Sequence, residues 1–276
     1  MSKRKIILSI IRLSKGRIER IKLFKLGFLL SQRIKNFYDF VPYKYGPYSF
    51  EMDRDLRIML NKKQIFQDSK TIQLIDNGQN IATHLNKTIP YINTISSEFG
   101  RLKTKQLLDH IYSHYPYYTQ FSKVKKSSSF EIKTAEISIY TIGYQNLSID
   151  EFINTLVKKG LGIVIDVRNN PSSYKYGFSK FWLEKYLSKF NIEYKSTPEL
   201  GIPKIYRKSL SGNDLWEKYK EILVSEKAYI NEISQILQKK PSVLMCFEET
   251  PEQCHRLILS EILREKTKLK VIHLRK

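Results

Sequence analysis

Gly162-Ile-Val-Ile-Asp-Val-Arg-Asn-Asn-Pro-Ser-Ser173 decides the fold of this chain. A short unbroken apolar run that ends on a charged residue and a proline-bearing loop is the pattern of a strand buried on both faces. Working outward, residues 138–142 read as a second strand. Residues 148–159 read as a helix whose Ser148 to Glu151 start fits a capping box. Further on, the expected helices are 181–189, 213–224, 228–238 and 253–265, and the expected strands are 193–195, 242–248 and 270–274. Strands alternating with helices predict a three-layer α/β domain with a mostly parallel sheet. Sheets of that kind place their sites beyond the carboxyl ends of the strands.

The other half of the chain has a different pattern. Residues 5–13 and 19–35 interleave apolar and basic positions at helical spacing, and Ser49 can cap a third helix over 50–61, with Glu51 and Asp53 in its first turn. Between them lies a turn-rich aromatic segment, Tyr38-Asp-Phe-Val-Pro-Tyr-Lys-Tyr-Gly-Pro-Tyr-Ser49. Residues 62–78 read as a small hairpin with its turn at Asp76-Asn-Gly78, and residues 104–113 as a last helix. Helices followed by a hairpin predict a mainly helical winged helix-turn-helix domain. The stretch 38–60 also resembles bacterial winged-helix proteins related to antitoxin and regulator families. Ser and Lys displace the apolar periodicity around 122–134. The expected division is therefore 1–123, a linker at 124–134, and 135–276.

Charge separates the halves further. The 276 residues carry a net charge of +21, and residues 1–130 hold 24 Lys+Arg against 9 Asp+Glu, whereas 131–276 hold 24 against 18. A field of that size suits a polyanionic partner, with double-stranded DNA first, although a solvated Lys-rich surface would give the same count. The residues expected to meet nucleic acid are Lys22, Lys25, Lys44, Tyr45, Arg54 and Arg57. At 41% hydrophobic the chain can build a real core, which excludes a disordered or fibrous protein. The longest greasy stretch, 24–30, is interrupted by Lys25, so no bilayer span is expected. The basic start lacks a small-residue cleavage site and makes a poor signal peptide, which predicts a cytoplasmic protein. Two cysteines, Cys246 and Cys254, are too few for a disulfide scaffold and are expected to be reduced.

Four segments fall at strand ends: Thr141-Ile-Gly-Tyr-Gln145, Asp166-Val-Arg-Asn-Asn-Pro-Ser-Ser173, Pro198-Glu-Leu-Gly201, and Leu244-Met-Cys-Phe-Glu-Glu-Thr-Pro-Glu-Gln-Cys-His-Arg256. With His273-Leu274 they resemble, over about residues 137–275, the domain of unknown function 488 family. Its members show T-I-G-[HY]-[SQ], D-V-R-x-x-P-x-S, a later L-G, L-x-C-F-E with C-H-R, and H-L in this order. The resemblance implies an α/β fold and supplies no activity. Rhodanese-like domains share a D-V-R strand end, but their single-loop cysteine and its anion cradle are not reproduced here.

The chemistry of these residues leaves several roles open. Asp166 and Glu248 should end neighbouring strands, where a carboxylate can act as general base or stabilise a cation, and Arg168 and Arg256 offer forked donors for phosphate. The same four residues could instead pair as Asp166 with Arg256, or Glu248 with Arg168, and merely tie strand ends together. Tyr144, Gln145, Ser172, Tyr194, Cys254 and His255 are the expected substrate contacts, with Gly143 letting the backbone approach a ligand. Cys246 reads as a small core residue. Cys254, at a helix start beside His255 and Arg256, has the setting of a lowered thiol pKa and a nucleophile. Cys246, Cys254, His255 and His273 offer one possible metal-ligand set, but the eight-residue separation of the cysteines is not a zinc-finger spacing and no second C-x-x-C exists, so no metal is expected. No P-loop, G-x-G-x-x-G or H-E-x-x-H occurs, so no cofactor is expected. The leading expectation is a DNA-directed enzyme that removes a damaged or modified base. A non-catalytic winged-helix regulator, with dimerisation as a corollary, and a Cys254-dependent enzyme are the alternatives.

Overall fold

The structure is a computed structural model that describes residues 2–83, 90–124 and 133–275. The chain divides into two compact units, Met1–Glu131 and Ile132–Lys276. The expected linker at 124–134 falls mostly outside the described residues. Among the described residues, no helix is long and apolar enough to cross a membrane.

The N-terminal unit contains α1 (Lys3–Leu13), β1 (Arg17–Glu19), α2 (Arg20–Ser31), β2 (Val41–Tyr43), β3 (Gly46–Tyr48), α3 (Phe50–Asn61), β4 (Ile65–Gln67), β5 (Thr71–Leu74), α4 (Asp76–Thr83), α5 (Pro90–Phe99) and α6 (Thr104–His114). Strands β1, β5 and β4 form an antiparallel sheet in that order, and β2 and β3 pair separately. Ser49 caps α3 as expected, its Oγ accepting from the Met52 N–H at 3.2 Å. The hairpin of 62–78 is present with a different turn. Asp68 accepts from the N–H groups of Lys70 and Thr71 at 2.7 and 2.6 Å and closes β4 onto β5. Asp76-Asn-Gly78 instead opens α4, because the first turn of a helix and a tight turn share local signals and Asp favours both. The aromatic segment is not simply a turn, since β2 and β3 make a hairpin with exposed Lys44 and Tyr45 at its tip.

Helix α2 corrects the expected basic surface. It is buried along nearly its whole length, from Leu23 to Leu30. Lys25 is 3% exposed, and its ammonium donates to the Pro47 carbonyl at 2.8 Å. Lys22 donates to the carbonyls of Gly100 and Leu102, both at 2.7 Å. Neither is presented to a polyanion. Burial pulls the Lys25 pKa down to about 7 from its ordinary value near 10.5. Between those values the unfolded chain binds the extra proton, so stability rises with pH from about 7 upward and the gain is lost as pH falls back through 7. Lys25→Met is therefore expected to flatten the rise in the unit's thermal midpoint between about pH 7 and 9.5, measured by calorimetry on wild type and variant in parallel.

In the C-terminal unit the elements are β6 (Ile139–Gly143), α7 (Ile149–Lys159), β7 (Ile163–Asp166), α8 (Lys180–Leu187), β8 (Glu193–Ser196), α9 (Lys204–Ser209), α10 (Gly212–Ser225), α11 (Lys227–Lys239), β9 (Ser242–Cys246), α12 (Arg256–Thr267) and β10 (Val271–Leu274). The five strands pair in parallel in the order β10-β6-β9-β7-β8. This confirms the α/β class. Helix α7 starts where the sequence placed it, with Ser148 Oγ accepting from the Glu151 N–H at 3.0 Å. Ile163, Ile165 and Val167 of the β7 run and Leu244 and Cys246 of β9 share one core with Tyr219, Leu223, Ile233, Leu237, Leu259 and Leu263 of α10 to α12. The alternating residues Val164, Val243 and Met245 are equally buried and point the other way by the period of two. Strand β9 is inserted between β6 and β7, so the chain's direction of growth reverses beside it. The carboxyl ends of these three strands are where such a sheet opens a crevice.

Candidate functional site

Each of the three central strands ends in a loop that the sequence had marked. Beyond β7, Asp166 and Arg168 pair with each other rather than across strands. Arg168 Nε donates to Asp166 Oδ1 at 2.8 Å and Nη2 to Oδ2 at 2.6 Å, with both side chains buried. The Tyr194 hydroxyl donates to Asp166 Oδ2 at 2.7 Å, and Arg168 Nη1 donates to the Tyr144 hydroxyl at 2.7 Å. Burial alone would lower the arginine's pKa, but the bonds and charge of Asp166 outweigh it and push the value up. Burial, then Asp166, likewise pushes Tyr194 up. Asp166 is wholly buried with both oxygens engaged, so it positions Arg168 and does not face a substrate. The half-buried Tyr194 commits its hydroxyl to Asp166.

Beyond β6, Tyr144 is 2% exposed and its ring stacks on Phe178 at 4.2 Å. One face of the ring is therefore taken by the core, although Tyr144 still contributes to the wall of the cleft described below. Gln145 accepts from the Glu249 N–H at 3.2 Å. Gly143 is needed for close approach, but of protein and not of ligand: a Cβ there would lie 1.7 Å from the Glu248 carbonyl oxygen. Gly201 plays the same part for the Arg168 loop, with Asn169 N 2.1 Å from its Cβ position. Gly143→Ala must push the 248–249 loop away, which is expected to cost about 1–3 kcal/mol. Thermal melting should show it as a loss of roughly 2–12 °C.

Beyond β9 the loop carries Glu248, and then Cys254 and His255 lead into α12. Arg256 is 0% exposed. Its guanidinium donates to the carbonyl of Glu248 and, at 2.7 Å, to that of Glu249. It braces the loop's backbone and meets no phosphate, which corrects its expected role. Cys254 is 3% exposed and precedes the helix cap. Burial, reinforced by a hydrogen bond with Cys246, pushes its thiol well up, so burial defeats the helix dipole that was expected to lower it. His255 is 1% exposed, with Nε2 at 2.9 Å from the Val167 carbonyl. Neither residue is presented as a substrate contact. Glu248 remains partly open. Burial acts to raise its carboxyl, but hydrogen bonds from Cys254 and Cys246 and the nearby His255 hold it below its ordinary value. It is ionised at neutral pH. His273 is engaged across β10 and β6, its Nδ1 2.8 Å from Thr141 Oγ1.

A cleft of about 440 Å³ lies against these loops. Arg168, Lys175, Lys204 and Arg207 contribute its charge, and Asn169, Asn170 and Ser172 its polar wall. Of the expected contacts, Tyr144 and Ser172 both line it. Cys246 and Phe247 line the side next to Glu248, whose Oε1 is 3.8 Å from Arg207 Nη1. Lys175, Lys204 and Arg207 were not anticipated. Lys175 sits in the loop after β7, and its Nζ donates to the Tyr144 carbonyl at 2.9 Å. The basic run Lys204-Ile-Tyr-Arg-Lys208 was the available signal for the other two.

Residues 148–263 match the family described as "Domain of unknown function DUF488". The C-terminal unit is a DUF488 domain. The match begins at the Ser148 cap of α7 and ends within α12, so the DUF488 region includes the cleft's Arg168, Lys175, Lys204 and Arg207 as well as Glu248. No curated protein matches the chain.

Proposed function

We propose that this chain is a DNA-binding enzyme that acts on damaged or modified nucleotides, as a glycosylase that hydrolyses the N-glycosidic bond of an extruded base. The observation that carries this reading is the DUF488 cleft: about 440 Å³, rimmed by four cations, with one ionised carboxylate at its edge. The volume lies within the range of small-ligand pockets. Phosphates of the extruded nucleotide suit Lys175, Lys204 and Arg207, while Arg168, bound to Asp166, shapes the cleft wall. Glu248 is the carboxylate left to activate water or stabilise the cation that develops on the sugar, because Asp166 is committed to Arg168.

The N-terminal unit supports the DNA half of the reading. Apart from the β2–β3 hairpin inserted between α2 and α3, its order α1-β1-α2-α3-β4-β5 with β1-β5-β4 pairing is compatible with a winged helix. In that arrangement α3 enters the major groove and the β4–β5 hairpin lies beside it. Arg54 and Arg57 are exposed on α3, and Lys44 and Tyr45 are exposed on the β2–β3 tip. Arg54→Ala and Arg57→Ala should each reduce the slope of log affinity against log salt by about 1 on duplex DNA, as measured by fluorescence anisotropy. Unchanged slopes in both would remove α3 from the interface. The function itself is tested by incubating the protein with duplexes that carry modified bases and revealing abasic sites with alkali. Duplexes that are all bound and never altered would favour the regulator.

A further inference from the structure

Four side chains at the inner end of the cleft form a group that the excision chemistry does not fully use. Cys246 ends β9, Glu248 follows it, and Cys254 and His255 stand just before α12. One ligand-type atom from each lies within 4.8 Å of the others. Cys246 Sγ is 3.2 Å from Glu248 Oε2 and 3.7 Å from His255 Nδ1. Ligand atoms around a tetrahedral ion with metal–sulfur bonds near 2.3 Å and metal–nitrogen bonds near 2.0 Å stand roughly 3.3–3.8 Å apart, so small adjustments would seat an ion.

A second observation points the same way. The Val167 carbonyl 2.9 Å from His255 Nε2 can only accept a hydrogen bond, so Nε2 carries a proton and Nδ1 is the nitrogen left to meet a metal ion. Backbone carbonyls behind the ring orient metal-binding imidazoles in this way. The loop is also held in advance, by Arg256 on the carbonyls of Glu248 and Glu249 and by Gly143 beneath Glu248. Two thiols and an imidazole, all buried, select a soft or borderline cation of zinc's class over magnesium or calcium. Binding expels the two thiol protons, and the ion's charge balances the thiolates left behind.

We propose that Cys246, Cys254 and His255 bind a zinc-class divalent ion, with Glu248 beside an open fourth position that holds water. Cys246 and Phe247 line the cleft, and Glu248 is a quarter exposed where the other three are sealed, so the open side of the group is the cleft side. The role of the water rests on the excision reading; the metal does not, because its content is read without DNA.

The test is metal analysis of the full chain purified without chelator, alongside cobalt(II) reconstitution followed by visible spectroscopy. The expected result is about one zinc per chain and a cobalt spectrum of tetrahedral thiolate character. Cys254→Ser and Cys246→Ser should reduce tightly bound metal at least tenfold, while Glu248→Gln keeps it. Wild-type protein that takes up neither metal stoichiometrically, or that carries a Cys246–Cys254 disulfide by mass spectrometry, would overturn the site without reliance on any variant's folding. Loss of metal in Glu248→Gln to the same degree as in Cys254→Ser would overturn the open fourth position.

Discussion

Asp166→Ala lowers the stability of the DUF488 unit by about 3–5 kcal/mol, because it leaves the Arg168 guanidinium buried without its counter-charge. The mate is 6% exposed at its side chain and Asp166 is 0% exposed, so water cannot take over the lost bonds. For a unit of this size the cost appears as a drop of roughly 6–20 °C in thermal midpoint. Tyr194→Phe removes one hydrogen bond to the same carboxylate and should cost less, about 1.5–3 kcal/mol. Calorimetry on both variants ranks them. An Asp166→Ala midpoint within a degree or two of wild type would show that the pair is not the buried anchor described above.

Glu248→Gln is expected to cut base excision by about 10²–10⁴-fold, the usual yield of a positioned acid or base, with little change in stability. The amide keeps an oxygen for the Cys246 thiol at 3.2 Å but loses the charge that faces Arg207. Single-turnover rates with excess enzyme separate this from binding. A drop confined to affinity would make Glu248 a contact residue, and an equal drop in stability would make it structural.

Much of the C-terminal architecture was legible because its signals are local. Each buried strand is a short apolar run closed by a charged or Pro-rich loop, and Ser148 marks the start of α7 with its own hydroxyl. The Asp166–Arg168 pair was harder to see: residues two apart on an extended strand point the same way, but pairing across strands was equally open until the loop's turn was known. Cys246, Cys254 and His255 are possible metal ligands in the sequence that their spacing argues against, and spacing does not show that the fold brings a strand end and a helix start together, with Glu248 rather than His273 as the fourth member. In the N-terminal unit, Lys25 looked like part of a basic face because the sequence shows its charge and not its burial. The all-apolar surroundings of α2, Leu23 to Leu30 with Lys25 among them, were the clue that this helix has no solvent face.

If the cleft beside Glu248 removes a base from DNA, as proposed, abasic sites accumulate on the substrate duplex. The measurement that tests this most directly is a time course of abasic-site formation on end-labelled duplexes carrying a panel of damaged and modified bases, with wild type and Glu248→Gln run side by side and strands broken by alkali. Alkali-dependent cleavage at one class of modified base is expected with wild type, reduced about a hundredfold or more by Glu248→Gln. Cleavage that Glu248→Gln leaves intact, or no abasic site on any duplex that the protein binds, would contradict the proposal.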